Sequence, residues 1–142
     1  MTQLNPYISF SGNAEEAFNF YKSVFGGEFS AVMRWGDNEE CAEMPGIDKN
    51  SIMHIALPVG DSTIMGDDSD GIMGKKLSAG NNHSITISPD SRDEADRSFK
   101  GLSDGGEATM SMQVAFWGGY FGSLTDKFGV QWLINYDNNQ KK

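Results

Sequence analysis

The sequence predicts an α+β fold with a mainly antiparallel sheet, built as two consecutive βαβββ modules. Three observations predict it. The two halves echo each other: Glu16-Ala17, Tyr21-Lys22 and Gly26-Gly27-Glu28 return as Glu94-Ala95, Phe99-Lys100 and Gly105-Gly106-Glu107, with the spacing shared to within one residue. Each copy reads as a capped helix that ends in a glycine pair and runs into a strand. Seventeen glycines against four prolines suit a strand-rich chain with many tight turns. Two copies make a duplicated module, because a solenoid needs three or more.

The elements follow in order. Tyr7–Phe10 reads as a strand, and Ala14–Phe25 as a helix with Asn13 as N-cap and Glu16 at N3, the spacing of a capping box. Ala17, Phe20, Tyr21 and Val24 make its apolar face. Strands are predicted at Phe29–Trp35, Ile52–Val59 and Ser62–Gly66, the last two joined by a hairpin at Gly60-Asp61. In the second half, His83–Ser88 is a strand, and Ser91 caps a helix over Arg92–Ser103 with Glu94 at N3 and Ala95, Phe99 and Leu102 on its face. Strands at Ala108–Gln113, Tyr120–Thr125 and Gln131–Tyr136 complete it; Asp126-x-x-Gly129 makes the tight turn before the last. The glycine pairs end both helices. Phe20, Tyr21 and Phe99 are expected to be buried, with Trp35 and Trp132 as packing residues. Asp37–Asn50 and Asp67–Asn82 lack periodicity and read as loops. The chain is thus a single domain of two modules, about 1–67 and 83–142, joined by loop 68–82.

Composition narrows the function classes. At 38% hydrophobic and 11% aromatic, 142 residues can bury a sizeable core. A net charge of −9 offers no basic stripe for nucleic acid. No apolar stretch approaches a membrane span, and Met1–Pro6 has neither the basic start nor the apolar run of a secretory leader, so a cytoplasmic protein is expected. The lone Cys41 excludes an internal disulfide, and the neighbouring Asp37, Glu39 and Glu40 argue against a nucleophilic thiol. There is no G-x-S-x-G, no P-loop and no G-x-G-x-x-G after a strand.

Both ends carry a resemblance. Pro6-Tyr7-Ile8-Ser9-Phe10, Gly12-Asn13-Ala14-Glu15-Glu16-Ala17, Phe20-Tyr21 and Phe25-Gly26-Gly27-Glu28 open the chain, and Asp126-Lys127-Phe128-Gly129-Val130-Gln131-Trp132-Leu133-Ile134-Asn135 closes it. In this order, over nearly the whole length, the sequence resembles PhnB-like proteins of the vicinal oxygen chelate superfamily, which also holds glyoxalase I, extradiol dioxygenases and bleomycin-resistance proteins. Its PhnB-like members are often labelled 3-demethylubiquinone-9 3-methyltransferases. The resemblance implies modules that curl into a half-open barrel around a pocket, the glyoxalase/bleomycin resistance/dioxygenase fold, and a homodimer. The glycine-rich turn with which a methyltransferase of the usual kind holds its adenosyl cofactor is absent from the sequence.

The resemblance also implies where a divalent metal would sit, with His and Glu ligands from four strands. The first position falls on Pro6 or Tyr7, the second among Ile64, Met65 and Gly66, the third on His83 and the fourth on Leu133. Only His83 matches in type, and one ligand in four does not hold a catalytic metal. No metal or other cofactor is therefore expected, His83 being the one weak candidate; His54 reads as a strand histidine with a satisfied hydrogen bond. Residues in phase with the former ligand positions make the candidate pocket: Ile8, Phe10, Met65, His83, Ile85, Gln131 and Leu133, with Ile87 and Asn135 alongside. Trp117 and Tyr120 join them from the aromatic run Phe116–Gly122, which either lines a pocket mouth or dimer seam or belongs to the core. The function expected is small-molecule binding without a catalytic metal. The alternatives are a metal-dependent enzyme (lyase, dioxygenase or thiol transferase) pairing His83 with Asp67 or Glu107, and drug sequestration aided by the acidic surface. The scattered basic residues offer no phosphonate site.

Overall fold

In the computed structural model, residues 2–137 are described, so residues 1 and 138–142 of the two expected modules lie outside them. The chain divides into two units, Met1–Ser78 and Ala79–Lys142, and each contains one βαβββ module.

The first unit starts with β1 (Tyr7–Phe10) and α1 (Ala14–Phe25), followed by β2 (Ala31–Arg34), a short α2 (Glu39–Ala42), β3 (Ile52–Val59) and β4 (Ser62–Asp68). The sheet order is β1-β4-β3-β2; β1 runs parallel to β4 and the other pairs are antiparallel. The predicted hairpin forms, with Val59 opposite Ser62 and Gly60 at φ 58°.

Helix α1 covers one face with Ala14, Ala17, Phe18 and Tyr21, all buried. This is the i, i+3, i+4, i+7 stripe of an amphipathic helix. Phe20 lies about 100° round the helix from Tyr21 and is only half-buried, which corrects the expectation that it is a core residue. Phe18 takes its place, with its ring against Gly66. A Cβ on Gly66 would stand 2.7 Å from that ring and 2.6 Å from the Ile8 carbonyl, so the close approach requires glycine.

The N-terminus of α1 also differs from expectation. Asn13 makes no side-chain cap. Asp68 reaches across from β4 instead, its Oδ1 accepting from Gly12 N at 2.8 Å and Ala14 N at 2.9 Å while its Oδ2 accepts from Ile52 N at 2.9 Å. The tertiary carboxylate has displaced the local cap. Asp67 and Asp68, read as loop residues, thus belong to β4, and both are buried. Trp35 is buried as expected and donates from Nε1 to the Asp68 carbonyl at 2.8 Å. Within the predicted loop 37–50, the Asn38 side chain caps α2 by accepting from Glu40 N and Cys41 N.

The second unit repeats the plan with β5 (Ile85–Ile87), α3 (Arg92–Ser103), β6 (Glu107–Val114), β7 (Tyr120–Thr125) and β8 (Gln131–Tyr136). Its sheet order is β5-β8-β7-β6, again with one parallel pair, β5 and β8. Ser91 caps α3 as predicted, accepting from Glu94 N at 3.1 Å. Ala95, Ser98 and Leu102 are buried; Phe99 is half-buried, although its ring lies against Gly122. The strand begins at Ile85, leaving His83 outside it. Asp126 organises the turn ahead of β8: its Oδ1 accepts from Phe128 N and Val130 N, and its Oδ2 from Nε1 of the buried Trp132 at 2.9 Å. Both sheets are open and four-stranded, and both are mainly antiparallel as expected.

Candidate functional site

Each sheet has one face under its helix and one face turned away from it, and side-chain alternation decides which residues lie where. In the first unit Phe10 packs edge-on against Phe18, and the strand partners of Ile8 and Phe10 are Gly66 and Asp68. Ile8 and Phe10 therefore lie on the helix-covered face. Tyr7, Ser9, Met65 and Asp67 alternate with them and share the other face, as the pairs Tyr7–Met65 and Ser9–Asp67 require. Extending the β3–β4 register by one residue sets His54 beside Asp67.

Contacts on this face bear that out. The Tyr7 hydroxyl donates to Asp67 Oδ2 at 2.9 Å, and the His54 ring stacks on Tyr7 with centroids 5.9 Å apart and planes 28° apart. The His54 ring makes no hydrogen bond among the described residues, so the stack stands where a satisfied side-chain bond was expected. Asp67 is 9% exposed, and its Oδ1 has no hydrogen-bond partner among the described residues.

Burial, then the bond to Asp67 and its negative charge, push the Tyr7 phenol up to about 12. A phenol raised in the folded state stabilises the fold fully below its ordinary pKa of 10.0, and that contribution is lost as pH rises through about 12. Ultraviolet titration of the wild type minus Tyr7→Phe is expected to show this late phenol. Asp67→Asn should return it only part of the way, since burial is the larger cause; a difference curve centred at 10 in the wild type would contradict the geometry.

In the second unit Leu124, Trp132 and Ile134 are buried, and Ile85 and Ile87 are the strand partners of Trp132 and Ile134. Tyr120 points the same way, donating its hydroxyl to Asp96 of α3 at 2.7 Å beneath the Arg92 guanidinium. The other face carries Gln131, Leu133 and Asn135, with Phe121 opposite Asn135 and Thr86 opposite Leu133. Trp117 packs edge-on against Phe121 at 5.4 Å. A Cβ on Gly119 would stand 2.6 Å from both Trp117 Nε1 and Asn135 Oδ1, so glycine lets the indole and the amide close together there. Asn135 Oδ1 is buried without a partner among the described residues. Phe116 is 99% exposed and Trp117 51%, which removes these two from the core.

Of the candidate residues, Met65 thus falls on the uncovered face of the first unit, and Gln131, Leu133 and Trp117 on that of the second. Ile8, Phe10, Ile85 and Tyr120 lie on helix-covered faces. His83 is exposed beyond the strand end; its Nδ1 is 3.0 Å from Asn82 Oδ1, and its carbonyl accepts from Gln131 Nε2 at 2.8 Å. His54 and Phe121 were missed as pocket residues, and Tyr7, named only as an alternative first metal position, was left out of the pocket. The polar-apolar alternation of Tyr7-Ile8-Ser9-Phe10 was the available signal for Tyr7.

A divalent metal does not fit the positions that the resemblance assigns to it. Pro6 and Leu133 carry no donor, Tyr7 has its hydroxyl on Asp67, Met65 offers only a thioether, and His83 is exposed beyond the end of its strand. No three His, Cys, Asp or Glu side chains come together among the described residues. Among the same residues, no helix is long and apolar enough to cross a membrane.

Known proteins share this architecture. The family model for 3-demethylubiquinone-9 3-methyltransferase matches residues 2–135. Protein YjdN of Escherichia coli is 29% identical, over 96% of this chain and 97% of its own. The crystal structure of PA1353 from Pseudomonas aeruginosa is similar at 35% identity and a TM-score of 0.85, covering 96% of this chain and 98% of that one. A putative 3-demethylubiquinone-9 3-methyltransferase, PhnB protein, from Bacillus cereus follows at 26% identity and a TM-score of 0.76, with 95% and 99% covered. The fold recurs in a glyoxalase/bleomycin resistance protein/dioxygenase family enzyme from Burkholderia phytofirmans, at 16% identity, a TM-score of 0.62 and coverage of 92% and 95%.

Proposed function

The chain belongs to the PhnB-like 3-demethylubiquinone-9 3-methyltransferase family, and we propose that within it this protein binds a small organic molecule, as a homodimer and without a catalytic metal. The observation that carries the reading is the makeup of the two uncovered sheet faces. Each sets apolar and aromatic side chains beside one buried, unpartnered oxygen: Met65 and Tyr7 beside Asp67 Oδ1, and Leu133, Phe121 and Trp117 beside Asn135 Oδ1. Apolar walls with a few fixed polar groups are the usual composition of a small-molecule site.

The methyl transfer in the family's name is no part of this reading. β1 runs into α1 through Ser11-Gly12-Asn13, and the helix start, where a glycine-rich turn would cradle a cofactor, is already held by the Asp68 carboxylate. Lyase, dioxygenase or thiol-transferase chemistry would need metal donors at the first position, where Pro6 has none and the Tyr7 hydroxyl is held by Asp67, and at the fourth, filled by Leu133. Elemental analysis of protein purified without a metal-affinity tag is expected to find well under one divalent ion per chain, unchanged in His83→Ala. About one ion per chain, lost in that variant, would overturn the reading.

Support for the homodimer comes from the edge strand β6 and the turn after it, where Met110, Val114, Phe116 and Trp117 are exposed. Unpaired edges and clustered exposed apolar side chains favour pairing with a second copy. Light scattering is expected to give about twice the monomer mass, shifted toward monomer by Phe116→Glu; a monomer at every concentration would remove the dimer from the proposal.

A further inference from the structure

The two oxygens of Asp67 differ in their surroundings: Oδ2 accepts a hydrogen bond from the Tyr7 hydroxyl at 2.9 Å, while Oδ1, equally part of a side chain only 9% exposed, meets no donor among the described residues. A buried carboxylate oxygen with no donor is a costly arrangement, and a native fold keeps few of them. We propose that Asp67, Tyr7 and His54 form the anchor for a cationic nitrogen group of the ligand, an amidinium or protonated amine bearing N–H donors. The proposal rests on the small-molecule reading above and specifies the chemical class that the first unit's uncovered face takes.

Three features select a cation over a neutral or anionic group. Carboxylate oxygens only accept hydrogen bonds, and Tyr7, whose O–H is engaged with Oδ2, has only oxygen lone pairs left to offer. An incoming group must therefore donate, and an anion is repelled. The Tyr7 ring is half-exposed and stacked on His54, so an aromatic face lies beside the carboxylate where a planar cation can rest. The chain's net charge of −9 raises the local concentration of cations over its surface.

The cation nearest in register is internal. Lys75 Nζ donates to Ser9 Oγ at 3.0 Å, and Ser9 is the strand partner of Asp67. Lys75 is itself exposed and held there by one hydroxyl, so it competes with a ligand only weakly. Asp68, next along β4, is excluded as an anchor because its two oxygens accept from three backbone N–H groups on the other face.

The test uses the full chain, labelled with 15N, titrated with benzamidine and separately with its neutral near-isostere benzamide. Benzamidine is expected to shift the amides of Tyr7, His54 and Asp67 saturably and to bind at least about tenfold more tightly than benzamide, the worth of one charge-assisted hydrogen bond. Asp67→Asn, which keeps shape and removes charge, is expected to erase that preference. Equal binding of the two probes at these residues, no saturable benzamidine shift there, or a preference that survives in Asp67→Asn would overturn the proposal. The wild-type comparison decides the matter alone if Asp67→Asn does not fold. A neutral fragment that binds saturably near Phe121 or Leu133 while benzamidine fails at Asp67 would overturn only the cation anchor. An absence of saturable shifts on either face, across a fragment set of mixed charge, would overturn the small-molecule reading with it.

Discussion

Asp68→Ala is expected to destabilise the protein by about 3–6 kcal/mol, the largest effect of any single side chain outside the apolar core. The substitution leaves the N–H groups of Gly12, Ala14 and Ile52 without their acceptor in one step. An unsatisfied buried group costs about 1–3 kcal/mol, and bonds to a charged acceptor lie toward the upper end. Against a total stability of about 5–15 kcal/mol, such a loss leaves a marginal fold. Asp68→Asn keeps one acceptor oxygen and should lose less. Urea denaturation followed by circular dichroism measures both; a loss below about 1 kcal/mol for the alanine variant would mean that water reaches these amides. In the second unit Asp126 carries a comparable load at a different place, the turn between β7 and β8, with two backbone N–H groups and the Trp132 indole on its carboxylate.

Phe18→Ala comes next, at about 3–5 kcal/mol, while Phe20→Ala should cost clearly less. Phe18 is fully buried, edge-on to Phe10 and Tyr21 and pressed against Gly66. Truncation there opens a cavity whose walls, two strands and a helix, cannot collapse. Phe20 tilts against Tyr21 at the margin of the same cluster and is half-buried. Equal losses in the two variants, measured by thermal or urea unfolding, would show that the apolar face of α1 extends to Phe20.

These two expectations mark how far the sequence could be read. Both long helices were legible to the residue, Ala14–Phe25 and Arg92–Ser103, because glycine pairs and first-turn acids punctuate them. Strands β7 and β8 were equally clear. Phe20 was misplaced because a run of aromatics hides which of them shares the stripe with Ala14 and Ala17. Asn13 looked like a cap because no local pattern shows a carboxylate arriving from 54 residues away at Ala14. Asp67 and Asp68 looked like loop because two adjacent acids read as solvated; their burial depends on partners that only the assembled sheet supplies.

The site was less legible than the fold. Phasing the first strand from Pro6 selects Ile8 and Phe10, yet those are the apolar members of an alternating strand and turn toward α1. Phasing the fifth from His83 assumes a strand that starts only at Ile85. On β8, by contrast, Trp132 and Ile134 so plainly belong to the core that Gln131, Leu133 and Asn135 fall on the opposite face.

The parallel pairing of β1 with β4 governs the order in which the first module can assemble. β2, β3 and β4 are joined in sequence and can form as a local antiparallel meander, whereas β1 must wait until a long loop closes against its entropy. Asp68 sits on the strand that accepts β1, and its bonds to Gly12 and Ala14, 56 and 54 positions away, exist only after that closure. They act as a latch on the closed module, so their strength is felt chiefly in how slowly it opens and little in how fast it forms.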